Sequence, residues 1–232
     1  MIEVLPREKS FSGKVLIAGF HGIGATGYYA IRYMIESLGA KRTAYVDSDL
    51  TAPISTSRGG RIVTPVELYE SGDLVFLRTE FPVQKENEFT FYRELAIWAA
   101  SAGFSEVALI GGLDATLRRD DSDYRVVFTS SFKPRGILET SKVLEDELII
   151  VGPVAVLLNN LEIYGFPAYS VIDYANTERV DPRAAANAVK VLSEVYGIHV
   201  DTDPLIEYAE KIESQVKLEV QSLKPKDESI YT

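Results

Sequence analysis

Residues 14–38 read KVLIAGFHGIGATGYYAIRYMIESL, a candidate strand, a glycine-rich turn and a candidate helix in immediate succession. The run from Lys14 to Gly19 is apolar after its lysine and ends in glycine, which is typical of a buried strand in a parallel sheet. From Thr26 to Leu38 apolar side chains recur at helical spacing, and Gly39 is a natural helix end. This order predicts the first unit of an α/β domain.

Segments of the same two kinds follow along the chain. Strands are predicted over residues 43–46, 61–68, 74–79, 107–110, 120–129, 148–151 and 168–172. Helices are predicted over 88–102 and 153–164, and also from Asp181 and Asp203, where an aspartate cap precedes a proline. Because strands alternate with helices almost throughout, we predict a three-layer α/β/α sandwich around a mostly parallel mixed sheet.

The chain is expected to form a single α/β domain over residues 1–222, with its last helix over about 203–222. An apolar stripe at Leu205, Ala209, Ile212, Val216 and Leu223 runs along that helix. The stripe fits docking on the parent domain and packing against a second copy equally well. Residues 223–232 begin with the charged, proline-containing stretch from Leu223 to Ser229, and we expect them to form a flexible tail.

Composition narrows the classes of function. A net charge of −10 argues against nucleic-acid binding, and the absence of cysteine excludes disulfides, thiolate metal sites and a cysteine nucleophile. Two histidines far apart in the sequence argue against a multi-histidine metal centre, so no metal or cofactor is expected. The chain has no long apolar run and no secretory leader pattern at its start, so the expected location is the cytoplasm.

The turn at 22–27 matches the dinucleotide-binding pattern G-x-G-x-x-G through Gly22, Gly24 and Gly27. Asp47 lies 20 residues beyond Gly27, at the end of the second predicted strand, where such folds place a ribose ligand. The same glycines also suit a tight strand-to-helix turn that binds nothing. His21 precedes them at the carboxyl end of the first strand, so these five residues form a candidate ligand loop.

Several motifs together resemble the proteasome assembly chaperone 2 family in its archaeal branch. They are Ile17–Phe20 with the Gly22–Gly27 turn, then Ala44–Asp47, Leu109–Leu113, Gly152–Ala155, Gly165–Tyr169 and the helix pair from Asp181 onward. The resemblance implies an α/β sandwich laid out like nucleoside phosphorylases but without their active-site residues. It also implies homo-oligomerisation and no established catalysis.

The chain ends in Ile230, Tyr231 and Thr232. This end resembles the hydrophobic–tyrosine–any tail with which proteasome activators and some assembly factors bind the α-ring of the 20S proteasome. An apolar side chain, a tyrosine ring and a terminal carboxylate suit a small socket with a basic residue at its end.

The leading hypothesis is therefore a non-enzymatic chaperone or activator-like protein that binds 20S α-subunits or the α-ring through Ile230, Tyr231 and Thr232. Because each short tail binds weakly, we expect a homo-oligomer of roughly three to five copies. Two alternatives remain open at this stage. One is a nucleotide-binding enzyme or sensor that uses the glycine-rich turn, and the other is a hydrolase- or phosphorylase-like enzyme with a site near His21 and Gly111-Gly112.

Overall fold

A computed structural model describes residues 1–223, with side chains as far as residue 216. The strands are Ile2–Leu5 (β1), Val15–Gly19 (β2), Lys41–Ser48 (β3), Thr56–Arg58 (β4), Arg61–Val63 (β5), Val66–Ser71 (β6), Leu74–Thr79 (β7), Glu106–Asp114 (β8), Tyr124–Phe128 (β9) and Ala168–Ala175 (β10). The helices are Thr26–Ser37 (α1), Lys85–Ser101 (α2), Ile137–Thr140 (α3), Pro153–Ile163 (α4), Pro182–Tyr196 (α5) and Asp203–Leu223 (α6).

Within residues 1–223, eight strands form one sheet in the order β1-β3-β6-β7-β2-β8-β10-β9. The central pairings of β7 with β2, β2 with β8 and β8 with β10 are parallel. The four outer pairings are antiparallel. The predicted sandwich with a mixed sheet is confirmed. The parallel pairings are confined to the centre of the sheet, and the antiparallel pairings are slightly more numerous.

Helices cover both faces of the sheet. Leu16 and Ala18 of β2 pack in a core with α2 and α4, whereas Ile17 packs in a second core with α1 and α5. Since successive strand residues point to opposite faces, a strand buried on both faces needs an uninterrupted apolar run. This is why the run after Lys14 forms the centre of the sheet.

Several local predictions differ from the structure; the strand predicted over 120–129, for example, covers only Tyr124–Phe128. β8 does not stop at Gly111-Gly112 but continues to Asp114, because all of β10 pairs with it from Val107 to Asp114. Residues 148–151 are not a strand; they belong to an irregular segment that leads into α4. Residues 61–68 form two strands, β5 and β6, because Thr64-Pro65 interrupts the run.

The first half of the last helix, α6, docks on the body. Leu205 and Ala209 are buried, and Arg183 of α5 bonds Glu213 at 3.2 Å. Ser214, Gln215 and Val216 are all exposed, although they point in different directions around the helix. The backbone of the helix continues to Leu223.

No helix within residues 1–223 is both long enough and apolar enough to cross a membrane.

Candidate functional site

A cavity of about 260 Å³ lies at the carboxyl edge of the parallel strands, where ligands bind in folds of this type. Its position follows from the strand lengths. β2 pairs with β8 only as far as Ile110, whereas β8 continues to Asp114 beside β10. The loop after β2 and the first turn of α4 close the resulting notch.

Gly24 and Gly27 of the glycine-rich turn are required by packing. A Cβ atom on Gly27 would lie 2.6 Å from the backbone nitrogen of Phe20 and 2.7 Å from the carbonyl oxygen of Ile110. Gly24 has a φ of +61°, and a Cβ atom there would lie 2.9 Å from the Cβ of Ala175. These glycines let α1 and α5 approach the sheet closely, so they need no bound ligand to explain them.

Gly22 differs from the other two glycines of the turn. A Cβ atom on Gly22 would meet no atom within 4 Å, and its backbone is extended at a φ of −117°. It lies in the cavity wall beside His21. Gly22 is therefore the glycine of the pattern that packing leaves unconstrained.

The structure does not bring Asp47 next to the glycine-rich turn. Asp47 is exposed on β3, opposite Glu3 of β1, and β6 and β7 lie between β3 and β2. Three strand spacings amount to about 14 Å. In dinucleotide-binding folds the corresponding strand is the immediate neighbour of the first, so this arrangement does not favour the nucleotide-binding alternative.

His21 lies in the cavity wall and stacks on Tyr28, with ring centroids 4.1 Å apart. Burial lowers the pKa of His21 below its ordinary value of 6.5, and the nearby carboxylate of Glu80 opposes that shift only in part. The imidazole is therefore uncharged at neutral pH and has a nitrogen able to accept a hydrogen bond.

Glu88 of α2 also lines the cavity. It makes no ion pair or hydrogen bond with any residue in the described part of the chain, although its charge helps to raise the pKa of the buried Tyr92 hydroxyl. Sequence reasoning missed Glu88, because a glutamate in the first turn of a helix is common for reasons unrelated to ligands.

A second unexpected group is Asp173 of β10. Its neighbours Ile172 and Tyr174 face the cavity side, so Asp173 points towards α1 and α5. Its side chain is fully buried, and neither carboxylate oxygen has a hydrogen-bond partner among the described residues. Burial raises the pKa of Asp173 well above its ordinary value of 3.8, and the carboxylates of Asp123 and Asp181 raise it further.

Two carboxylates of the acidic loop before β9 pair with nearby cations. Asp120 bonds Lys142 at 2.8 Å and Arg125 at 3.1 Å, and Asp123 bonds Arg118 at 2.9 Å. Within residues 1–223 no three His, Cys, Asp or Glu side chains are grouped to hold a metal ion. The predicted contact residues Ile230, Tyr231 and Thr232 lie outside the described residues.

Solved structures with the same fold come from proteasome-related proteins of Pyrococcus furiosus. PbaA, an archaeal homolog of proteasome-assembly chaperone, superimposes with a TM-score of 0.78 at 23% identity, over 93% of this chain and 95% of PbaA. PbaB, an archaeal proteasome activator, superimposes with a TM-score of 0.72 at 21% identity, over 94% of this chain and 97% of PbaB.

Sequence comparison agrees with this fold. An uncharacterized protein of Methanocaldococcus jannaschii is 26% identical over 216 residues, which are 89% of this chain and 85% of the relative. Residues 16–220 match the PAC2 family model. The match spans the domain from its first central strand into its last helix, and it confirms the family inferred from the motifs: the chain belongs to the PAC2 family.

Proposed function

We propose that this protein is a non-enzymatic proteasome assembly chaperone or activator-like protein that binds the α-subunits or α-ring of the 20S proteasome through Ile230, Tyr231 and Thr232. The observation that carries the proposal is the combination of a PAC2 domain with a terminal hydrophobic–tyrosine–any sequence. The similarity in fold to PbaA and PbaB supports it.

The course of α6 supports a contact made away from the domain. Arg183 contacts the helix at Glu213, and the helix continues for ten residues to Leu223, about 15 Å at the rise of an α-helix. Nine further residues separate Leu223 from the chain end. This length of chain after Glu213 leaves room for the proposed contact to be made away from the domain.

Each terminal residue supplies a different contact. Burial of Ile230 contributes roughly 1.5–3 kcal/mol, and a charge-assisted hydrogen bond from a partner lysine to the Thr232 carboxylate contributes about as much. Ordering the tail offsets part of this gain, so one tail binds weakly. A homo-oligomer of roughly three to five copies would present several tails together and bind much more tightly.

The proposal gives the glycine-rich turn no role in binding a dinucleotide. Gly24 and Gly27 are accounted for by helix–sheet packing, and Asp47 lies three strand spacings from the turn. A dinucleotide enzyme would need these groups together at one site.

Co-purification with recombinant α-subunits from the same organism tests the proposal. The full chain should retain α-subunits, and a chain that ends at residue 229 should lose them, with the complex measured by native mass spectrometry. If the shortened chain retains the same amount, the contact lies on the folded domain and the proposed role of the tail is wrong.

A further inference from the structure

We propose that the cavity at the carboxyl edge binds a small primary amine with an apolar body, whose ammonium group pairs with Glu88. This inference is independent of the proposed contact with the proteasome, because the residues that line the cavity belong to the folded domain.

The walls of the cavity are built for an apolar body. Phe20, Ile110, Leu113, Val154 and Ile172 are each buried and line it from the loop after β2, from β8, from α4 and from β10. Most ligand sites combine a lining of this kind with a few placed polar groups, and they occur where the strand connections diverge. A volume of about 260 Å³ suits a small molecule.

The cavity wall carries one charged side chain and one uncharged ring. His21 and Glu88 are the two polar side chains of the wall. The His21 imidazole is neutral at neutral pH because burial lowers its pKa, so it does not neutralise Glu88. Among the side chains that the structure describes, which extend to residue 216, no cation pairs with Glu88.

This pair of groups selects the ligand's charge. An ammonium has three N–H donors, which suit the carboxylate oxygens of Glu88 and the unprotonated nitrogen of His21. A charge-assisted hydrogen bond of this kind is roughly twice as strong as a neutral one. A carboxylate ligand would be repelled by the like charge of Glu88, and an alcohol could donate a hydrogen bond but would bring no positive charge.

The mouth of the cavity is also apolar. Ile149 and Val151, in the irregular segment before α4, are 79% and 70% exposed although they contribute to the lining. Exposing two large aliphatic side chains at the entrance of an apolar cavity favours uptake of an amphipathic molecule over a fully polar one.

Gly111 provides a way to fill the cavity without disturbing the fold. It lies within β8, its φ is not positive, and a Cβ atom there would lie 3.4 Å from Val154 Cγ2 and 3.8 Å from Ile172 Cγ1. These are ordinary contact distances on the cavity side of the strand. Valine is also favoured in strands, so Gly111→Val should occupy ligand space and leave the sheet intact.

Three probes with one apolar body test the proposal on the full-length protein: n-hexylamine, 1-hexanol and hexanoate. We expect calorimetry at neutral pH to show hexylamine binding roughly tenfold more tightly than hexanol, with hexanoate the weakest. Equal affinities, preference for hexanoate, or no binding by any probe would overturn the proposal.

Two variants locate the site. Glu88→Gln should lower hexylamine affinity roughly tenfold, to that of hexanol, and leave hexanol unchanged. The matched control is Glu86→Gln, an exposed glutamate on the same helix turn that does not line the cavity. Gly111→Val should lower the affinity for all three probes. If valine lowers the melting temperature, Gly111→Ala adds a smaller side chain at the same position. Unchanged binding in Glu88→Gln, or in a folded Gly111 variant, would place the probes elsewhere and contradict the assignment.

Discussion

At the scale of single residues, Gly22 and Gly27 show what a glycine pattern does and does not establish. Both match the dinucleotide-binding pattern letter for letter, and the strand–turn–helix context was predicted correctly. The letters carry no information on whether a glycine faces a ligand or a neighbouring backbone. Here Gly27 faces the backbone of Phe20 and Ile110, whereas Gly22 faces open space.

The different surroundings give a testable prediction for Gly27→Ala. Alanine normally stabilises a helix relative to glycine by about 1 kcal/mol. At Gly27 the added methyl group would lie 2.6 Å from backbone, so we expect a net loss of about 1–3 kcal/mol in the free energy of unfolding. Urea denaturation measures it, with Gly22→Ala as the matched control that should change stability little. A Gly27→Ala protein as stable as the control would show that α1 does not need this close approach.

Asp173 gives a second prediction at this scale. Because its folded pKa lies well above 3.8, the folded state holds the proton more tightly than the unfolded chain does. The resulting stability is complete below pH 3.8 and is lost as the pH rises towards the folded pKa. Asparagine cannot ionise, so Asp173→Asn should be more stable than the parent by about 1–3 kcal/mol at pH 8 and by less at pH 5.

Denaturation of both proteins at the two pH values measures this effect. Asp146→Asn, at an exposed aspartate, is the control and should show no such difference. An Asp173→Asn protein that is less stable than the parent at pH 8 would mean that the carboxylate has a favourable partner in the folded state.

At the scale of elements, the central strands were predictable because burial on both faces leaves a continuous apolar run, as in β2 and in the first half of β8. β1 was not predicted, because Ile2–Leu5 alternates too briefly to be distinguished from a loop. Residues 148–151 were wrongly predicted to be a strand because they form a continuous apolar run. In the structure only Ile150 of the three aliphatic residues 149–151 packs inward, while Ile149 and Val151 are exposed. Sequence alone does not separate apolar residues of a core from those at a cavity mouth.

The two halves of α6 should respond differently to substitution. Leu205 is 6% exposed and packs against the domain, so Leu205→Ala should lower the free energy of unfolding by about 2–5 kcal/mol. Val216 is 39% exposed, so Val216→Glu should leave the fold intact and weaken self-association. Thermal melting and light scattering distinguish the two effects. A parent that is monomeric at micromolar concentration, or a Val216→Glu protein that loses its fold, would contradict this division.

At the scale of the whole molecule, motifs spread over most of the chain were enough to infer the family, and the PAC2 match confirms it. They were not enough to locate the cavity. Its walls come from the loop after β2 and from α2, β8, α4 and β10, which are far apart in the sequence, and its one charged residue belongs to a helix with no distinctive pattern. A site assembled by topology becomes visible only when the sheet order is known.

The central claim concerns the chain end, and the position of its carboxylate tests that claim most directly. One glycine appended after Thr232 keeps every side chain and moves only the terminal charge. One glycine inserted between Ser229 and Ile230 is the matched control, because it lengthens the tail equally and keeps the final three residues. Binding to immobilised 20S α-rings is measured for both, together with melting temperature and oligomer size.

We predict that the appended glycine weakens α-ring binding at least tenfold, since a charge-assisted hydrogen bond is worth about 1.5–3 kcal/mol. The inserted glycine should bind like the parent, and neither change should alter melting temperature or oligomer size. If the protein with the appended glycine binds α-rings as tightly as the parent, the terminal residues are not the contact and the proposed function is contradicted in its main point.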